Sequence, residues 1–190
     1  MKHVWWRTHL RALADLGPLA RFGDFQEVDG FLPYLLESLE LPAGGSVLEL
    51  GCGRGSFSIR LAEWGYRVTG VEESEPMLAL ARTSAERRGV ELELRCASRR
   101  TVPERNTFDG ALILDFGSLS DVENADQLRS VAAALRPGGR VVFSTCNPHY
   151  WARASETEHE VREGADVLRR NSFDFEAGCL LSRVRCIFAD

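Results

Sequence analysis

The residues best suited to chemistry form a short glycine-rich run, Gly51-Cys52-Gly53-Arg54-Gly55. It follows Val47-Leu48-Glu49-Leu50, and Ser56 then opens a helical pattern. Glycines at alternate positions let the backbone turn sharply and approach a ligand closely, because a Cβ would block both the dihedrals and the contact. The helix that follows offers N–H groups at its start. Glu72 lies 19 residues beyond Gly53, at the end of a second apolar run. In a βαβ unit, a carboxylate at that place points along the crevice and can accept both hydroxyls of an adenosine ribose. The chemistry indicated is the holding of a nucleotide-like cofactor. Dinucleotide enzymes, phosphate binders and plain tight turns also use such glycines, so the neighbouring segments must decide.

Those residues need a parallel sheet to position them, and from Ser46 onward the pattern alternates strand and helix. Strands are predicted over Ser46 to Leu50, Arg67 to Val71, Val90 to Cys96, Phe108 to Leu114 and Arg140 to Thr145. Helices are predicted over Phe57 to Trp64, from Pro76 to Arg88 with Gly89 as its stop, and over about Asn124 to Leu135. Arg136-Pro137-Gly138-Gly139 makes the turn into the fifth strand. Two helices precede the sheet, Val4 to Leu16 and Gln26 to Leu39, the latter interrupted or entered at Pro33. After the fifth strand, Ala154 to Arg170 is charged and reads as a helix, while Ser172 to Glu176 and Leu180 to Phe188 read as a β-hairpin around Ala177-Gly178. The expected organisation is one α/β domain in three parts: an N-terminal helical segment (1–45), a cofactor-binding core (46–147), and a charged helix with hairpin (148–190) that reads as an incomplete C-terminal part.

Composition narrows the function classes. A chain of 190 residues, 44% hydrophobic and 27% charged, can bury a sizeable core. A net charge of −5 argues against a broad nucleic-acid or anionic-membrane surface. Small-molecule partners are favoured. Lys2 is the lone lysine among the 23 basic residues, which reads as coding bias. Cys52, Cys96, Cys146, Cys179 and Cys186 form no C-x-x-C pair and read as buried small hydrophobes, so neither a metal site nor a disulfide framework is expected. Met1 to Leu10 lacks an apolar core of signal-peptide length, and no run of 18 apolar residues occurs, which predicts a cytoplasmic protein.

Four segments in order, Glu49-x-Gly51-x-Gly53-x-Gly55, Val68-Thr69-Gly70-Val71-Glu72, Phe108-Asp109-Gly110-Ala111 and Leu135-Arg136-Pro137-Gly138-Gly139-Arg140, resemble the class I S-adenosylmethionine-dependent methyltransferases of small-molecule type. The first two also suit a nicotinamide enzyme. The last two favour the methyltransferases, as does Ser56, where a dinucleotide fingerprint would carry Gly or Ala. The resemblance implies a Rossmann-like three-layer sandwich whose mostly parallel sheet has seven strands, with a C-terminal β-hairpin as a candidate insertion over the substrate pocket. It implies S-adenosyl-L-methionine as methyl donor, S-adenosyl-L-homocysteine as product and a small-molecule acceptor.

Carried over residue by residue, the resemblance places Glu49, Gly51, Cys52, Gly53 and Gly55 at the methionine part, Glu72 at the ribose, and Glu73 and Met77 beside the adenine. Ala97 occupies the place of the family's adenine-binding Asp, with Ser98 or backbone groups as the substitute. Leu114, Asp115 and Phe116 fall near the sulfonium. Trp5, Trp6, Arg7, Asn147, Tyr150 and Trp151 are substrate-side candidates. His149 is the one candidate for a general base, required only where the acceptor must lose a proton early. Asn147-Pro148-His149-Tyr150 looks like the N-P-P-Y signature of nucleobase and glutamine methyltransferases, but follows strand five instead of strand four and reads as a strand exit. Two rival classes stand beside this reading: a cofactor-binding but catalytically incomplete or regulatory protein, and a nicotinamide oxidoreductase. A sheet lacking the family's final strands would leave an open edge able to pair with another chain, which allows a homodimer.

Overall fold

The computed structural model describes residues 25–116, 121–145, 157–162, 165–174 and 179–188. The chain divides into two compact units, Met1–Thr145 and Cys146–Asp190.

In the first unit, α1 (Phe25–Leu39) precedes β1 (Ser46–Leu50), α2 (Ser56–Glu63), β2 (Arg67–Glu72), α3 (Glu75–Arg88), β3 (Glu93–Cys96), β4 (Phe108–Phe116), α4 (Asp121–Ala134) and β5 (Leu135–Thr145). The five strands form one parallel sheet in the order β3-β2-β1-β4-β5. That order reverses direction beside β1, the topological switch at which open α/β sheets bind ligands. Because successive strand residues face opposite sides, the two layers of core sort by alternation. Val47, Val68 and Leu112 pack with Val28, Leu32, Leu35 and Leu39 of α1 and Leu61 of α2. Leu48, Leu50, Val71, Ala111 and Ile113 pack with Val131 and Ala134 of α4. Complete burial of one such leucine stabilises the fold by about 1.5–3 kcal/mol.

Local sequence explains where the elements begin and end. Helix α1 runs continuously through Pro33, its apolar side chains recurring at helical spacing on the buried face. Ser74 caps α3 by accepting from Met77 N, and Gly89 closes it with φ 66°. The Arg136-Pro137-Gly138-Gly139 turn lies inside β5: pairing with β4 jumps from Phe108↔Leu135 to Gly110↔Arg140. Gly138 takes φ 84° there. Among the described residues no helix is long and apolar enough to cross a membrane.

The second unit holds a three-stranded antiparallel sheet, β6 (Thr157–Arg162), β7 (Ala165–Asp174) and β8 (Cys179–Phe188), in the order β6-β7-β8. This overturns the helix expected over Ala154 to Arg170. The charge density there conceals a two-residue period, in which Glu158, Glu160 and Arg162 alternate with Thr157, His159 and Val161. Register sets residue 158 opposite residue 169. The expected hairpin is present, with a first arm that starts at Ala165 instead of Ser172. Where the resemblance implies seven strands, the parallel sheet of the first unit has five among the described residues.

Candidate functional site

At the carboxyl end of β1 the chain enters a turn that only glycine accommodates without strain. Gly51, Gly53 and Gly55 have φ of 76°, 55° and 78°, the left-handed region that a Cβ disfavours. The turn is fastened to β2, since Gly51 N and Cys52 N both donate to Val71 O, at 2.8 and 3.1 Å. Gly55 then opens α2 without any side-chain cap. A Cβ on Gly55 would lie 3.0 Å from Ala81 Cβ, so this glycine also sets the approach of α2 to α3.

Glu72 ends β2 and is only 5% exposed. Its carboxylate is held from both sides: Gly53 N donates to Oε2 at 3.1 Å and Ser74 N to Oε1 at 2.9 Å. Each carboxylate oxygen can accept more than one hydrogen bond, so this grip fixes the group and leaves acceptor capacity for a vicinal diol. Glu49, one strand over, is 3% exposed and accepts from the Ser58 hydroxyl of α2. Burial pushes its carboxyl up to about 7; the Ser58 bonds oppose the rise, and the neighbouring Glu72 adds to it. Burial, with the charges of Glu49 and Glu72, also pushes the Cys52 thiol far above its ordinary range. Gly70 is the register partner of Glu49. A Cβ there would meet Cys52 Sγ at 2.9 Å and Ser58 Oγ at 3.1 Å, so the glycine provides the space these side chains fill. Cys52 is thus the buried small hydrophobe that was expected, whereas Cys96, on edge strand β3, is exposed.

The far side of the crevice comes from the ends of β2 and β3. Ser98 Oγ donates to Glu73 Oε1 at 3.0 Å, and Ala97 N donates to Glu72 O at 3.1 Å. Met77 is buried, with Cε 3.6 Å from where a Gly53 Cβ would stand. The structure therefore brings Gly53, Glu72 and Met77 to one corner, with Glu73, Ala97 and Ser98 next to it. Leu114 is half-buried in β4, which continues through Asp115 to Phe116. The side chains of Asp115 and Phe116, and all of Trp5, Trp6, Arg7, Asn147, His149, Tyr150 and Trp151, lie outside the described residues.

One residue of this crevice gave no signal in the sequence. Arg99 Nη1 lies 3.3 Å from the position of a Gly51 Cβ, so its side chain crosses from the loop after β3 to the end of β1. It belongs to no spaced motif and is one of many arginines, so proximity to Gly51 emerges only from the fold.

The two segments that separated the methyltransferase resemblance from its rivals lie at the opposite, amino-terminal end of the sheet. Asp109 Oδ2 accepts from Ser46 N at 2.7 Å, and Arg136 Nη1 donates to Asp109 Oδ1 at 2.6 Å and to Ser46 Oγ at 3.0 Å. The Ser46 N–H and the Arg136 guanidinium hold the Asp109 carboxyl down at about 2. This cluster ties β1, β4 and β5 together and sits away from the crevice.

Comparison with known proteins agrees with this architecture. The methyltransferase domain model matches residues 47–139. A ubiquinone biosynthesis O-methyltransferase of Idiomarina loihiensis is 31% identical over 130 residues, covering 66% of this chain and 54% of that protein. Its namesake from Stutzerimonas stutzeri is 30% identical over 152 residues, covering 77% of this chain and 60% of that protein. The chain thus spans little more than half the length of these curated relatives. Among solved structures, an S-adenosylmethionine-dependent methyltransferase from Clostridium acetobutylicum matches with a TM-score of 0.66 over 88% of this chain and 75% of that one. At 16% identity that likeness speaks for the fold alone. Sequence relatives and fold neighbours agree: residues 47–139 carry the methyltransferase domain, and the fold is the one seen in class I S-adenosylmethionine-dependent methyltransferases.

Proposed function

We propose that this chain binds S-adenosyl-L-methionine across the carboxyl edge of β3, β2 and β1 and serves methyl transfer to a small-molecule acceptor, with S-adenosyl-L-homocysteine as product. The observation that carries the reading is Glu72: a buried carboxylate pinned by Gly53 N and Ser74 N at the end of β2, with acceptor capacity to spare. In this reading Glu72 takes the ribose hydroxyls, and Glu73, Met77, Ala97 and Ser98 border the adenine. Glu49 and residues 51–55 take the amino-acid end, with Leu114, Asp115 and Phe116 near the sulfur. Ala97 brings no carboxylate to the adenine, so Ser98 and the loop backbone supply polar contacts there.

When bound, the donor supplies a methyl group on a positively charged sulfonium. The work left to the protein is orientation: in-line displacement needs the nucleophile aligned and close, and a fixed binding edge provides that alignment. Buried acidic groups beside the glycine turn, Glu72 and the partly protonated Glu49, suit this edge to a cation. The names of the curated relatives favour an oxygen acceptor. For such an acceptor His149 is the proposed base, and Trp5, Trp6, Arg7, Asn147, Tyr150 and Trp151 are the proposed substrate-side residues. The proposal also includes a cytoplasmic location and no nucleic-acid or membrane partner, supported by the net charge of −5. A homodimer completes it and is read by sedimentation.

The test is Glu72→Ala, assayed by calorimetric titration with S-adenosylhomocysteine. Removal of a charged acceptor from two hydroxyls is expected to weaken binding on the order of a hundredfold, with the far-ultraviolet spectrum retained. Unchanged affinity would contradict the ribose assignment.

A further inference from the structure

We propose that Gln127 is a positioning residue for donor binding: from the interior of α4 it holds the crevice end of the loop after β3, and through that loop it sets the preference for a base that carries an exocyclic amino group. The inference rests on the cofactor reading given above and deepens it. Burial supplies the first step. An amide side chain only 1% exposed is costly to bury unless it is hydrogen-bonded. Gln127 meets that condition by reaching out of its own helix, donating from Nε2 to Arg99 O at 3.1 Å. The other buried polar side chains among the described residues lie on β1, α2 and β2, so α4 contributes this one alone.

The loop runs beside α4 and is tied to it step by step. Arg100 Nη1 pairs with Glu123 Oε1 at 2.6 Å, Arg99 O accepts from Gln127, and Val102 N donates to Ser130 Oγ at 2.6 Å. Asn106 N and Thr107 N then donate to Ala133 O and Ala134 O, at 3.1 and 2.8 Å. The crevice end is held by the first two ties. Exposed ion pairs such as Arg100 with Glu123 contribute little, whereas a hydrogen bond from a buried amide is electrostatically stronger. What that end must do follows from residue 97. Ala97 brings no carboxylate to the base, and its N–H already donates to Glu72 O. Ser98 Oγ donates to Glu73 Oε1 and accepts from Arg100 N at 3.3 Å. The larger share of base recognition then falls to main-chain groups of residues 97–99. A side chain can adjust by rotating, but a main-chain group moves only with its loop.

The experiment is calorimetric titration of the full chain, unsubstituted and as Gln127→Met, Gln127→Asn and Asp109→Asn. Two probes are used: S-adenosylhomocysteine, and S-inosylhomocysteine, in which an oxygen replaces the exocyclic amino group. The unsubstituted chain is expected to favour the adenosyl probe. Gln127→Met, which keeps an unbranched side chain and loses the donor, is expected to weaken that probe about threefold to tenfold while moving the inosyl probe less than about twofold. Gln127→Asn, the milder change, is expected to show the same pattern at smaller size, and it decides the matter where Gln127→Met does not fold. Asp109→Asn loosens the sheet away from the crevice and is expected to leave the ratio of the two affinities unchanged, as a mere loss of stability would. Equal losses for both probes on changing Gln127, no loss for S-adenosylhomocysteine, or no preference in the unsubstituted chain would overturn the assignment. Failure of the unsubstituted chain to bind either probe would overturn the cofactor reading itself, and this proposal with it.

Discussion

Glu49 makes the stability of this chain depend on pH in an unusual direction, and Glu49→Gln exposes the effect. Burial raises the carboxyl from 4.5 to about 7 in the folded chain. A raised acid binds its proton more tightly when folded, so its contribution is full below about pH 4.5, falls as pH climbs toward 7, and stays lost above that. Integrated between pH 5 and pH 8, those two values give a loss on the order of 2–3 kcal/mol. Glutamine keeps the carbonyl that accepts from Ser58 and cannot ionise. Any constant cost of its amide disappears when the two pH values are compared. Urea unfolding of both proteins at pH 5 and pH 8, with linear extrapolation to water, measures the quantity directly. The variant is expected to gain about 2–3 kcal/mol on the parent over that interval. A stability difference that stays the same at both pH values would refute the reasoning, for it would mean that Glu49 is as well solvated folded as unfolded.

Two further outcomes follow from the geometry. Asp109→Asn breaks the tie among β1, β4 and β5 at the end of the sheet away from the crevice. It is expected to cost roughly 1–2 kcal/mol at neutral pH while leaving S-adenosylhomocysteine affinity within about twofold. Because the Asp109 carboxyl is depressed to about 2, its stabilisation is present above about pH 4 and lost as pH falls toward 2; acid unfolding of the variant should therefore show a shallower loss over that range. Gly55→Ala puts a Cβ 3.0 Å from Ala81 Cβ at a residue with φ 78°. Melting followed by circular dichroism should show a loss of roughly 1–3 kcal/mol, and an unchanged midpoint would contradict the close helix approach.

The core was readable because its signals are local. Apolar runs bounded by Gly and Pro gave strands β1, β2 and β4 to within about two residues, and Pro76 and Gly89 marked α3. The glycine turn and Glu72 could be paired across 19 residues because a βαβ unit fixes that distance in space. Other features were illegible for physical reasons. Residues 157–162 carry charge on alternate positions, and density of charge masked the strand period. Arg99 meets Gly51 through a loop tied to Gln127 on α4, a contact that no spacing in the chain encodes. The Phe108-Asp109 and Leu135-Arg136-Pro137 segments pointed to the right fold, yet their side chains serve the sheet's far end instead of the crevice. A motif can thus identify a fold through the lacing of its strands and say nothing of the site.

The most direct test of the central claim is calorimetric titration of the 190-residue chain with S-adenosylmethionine and S-adenosylhomocysteine, with reduced nicotinamide cofactor as control. Micromolar binding of both sulfur compounds, with none of the control, is the predicted result. Binding of the nicotinamide alone, or of no ligand, would contradict the account.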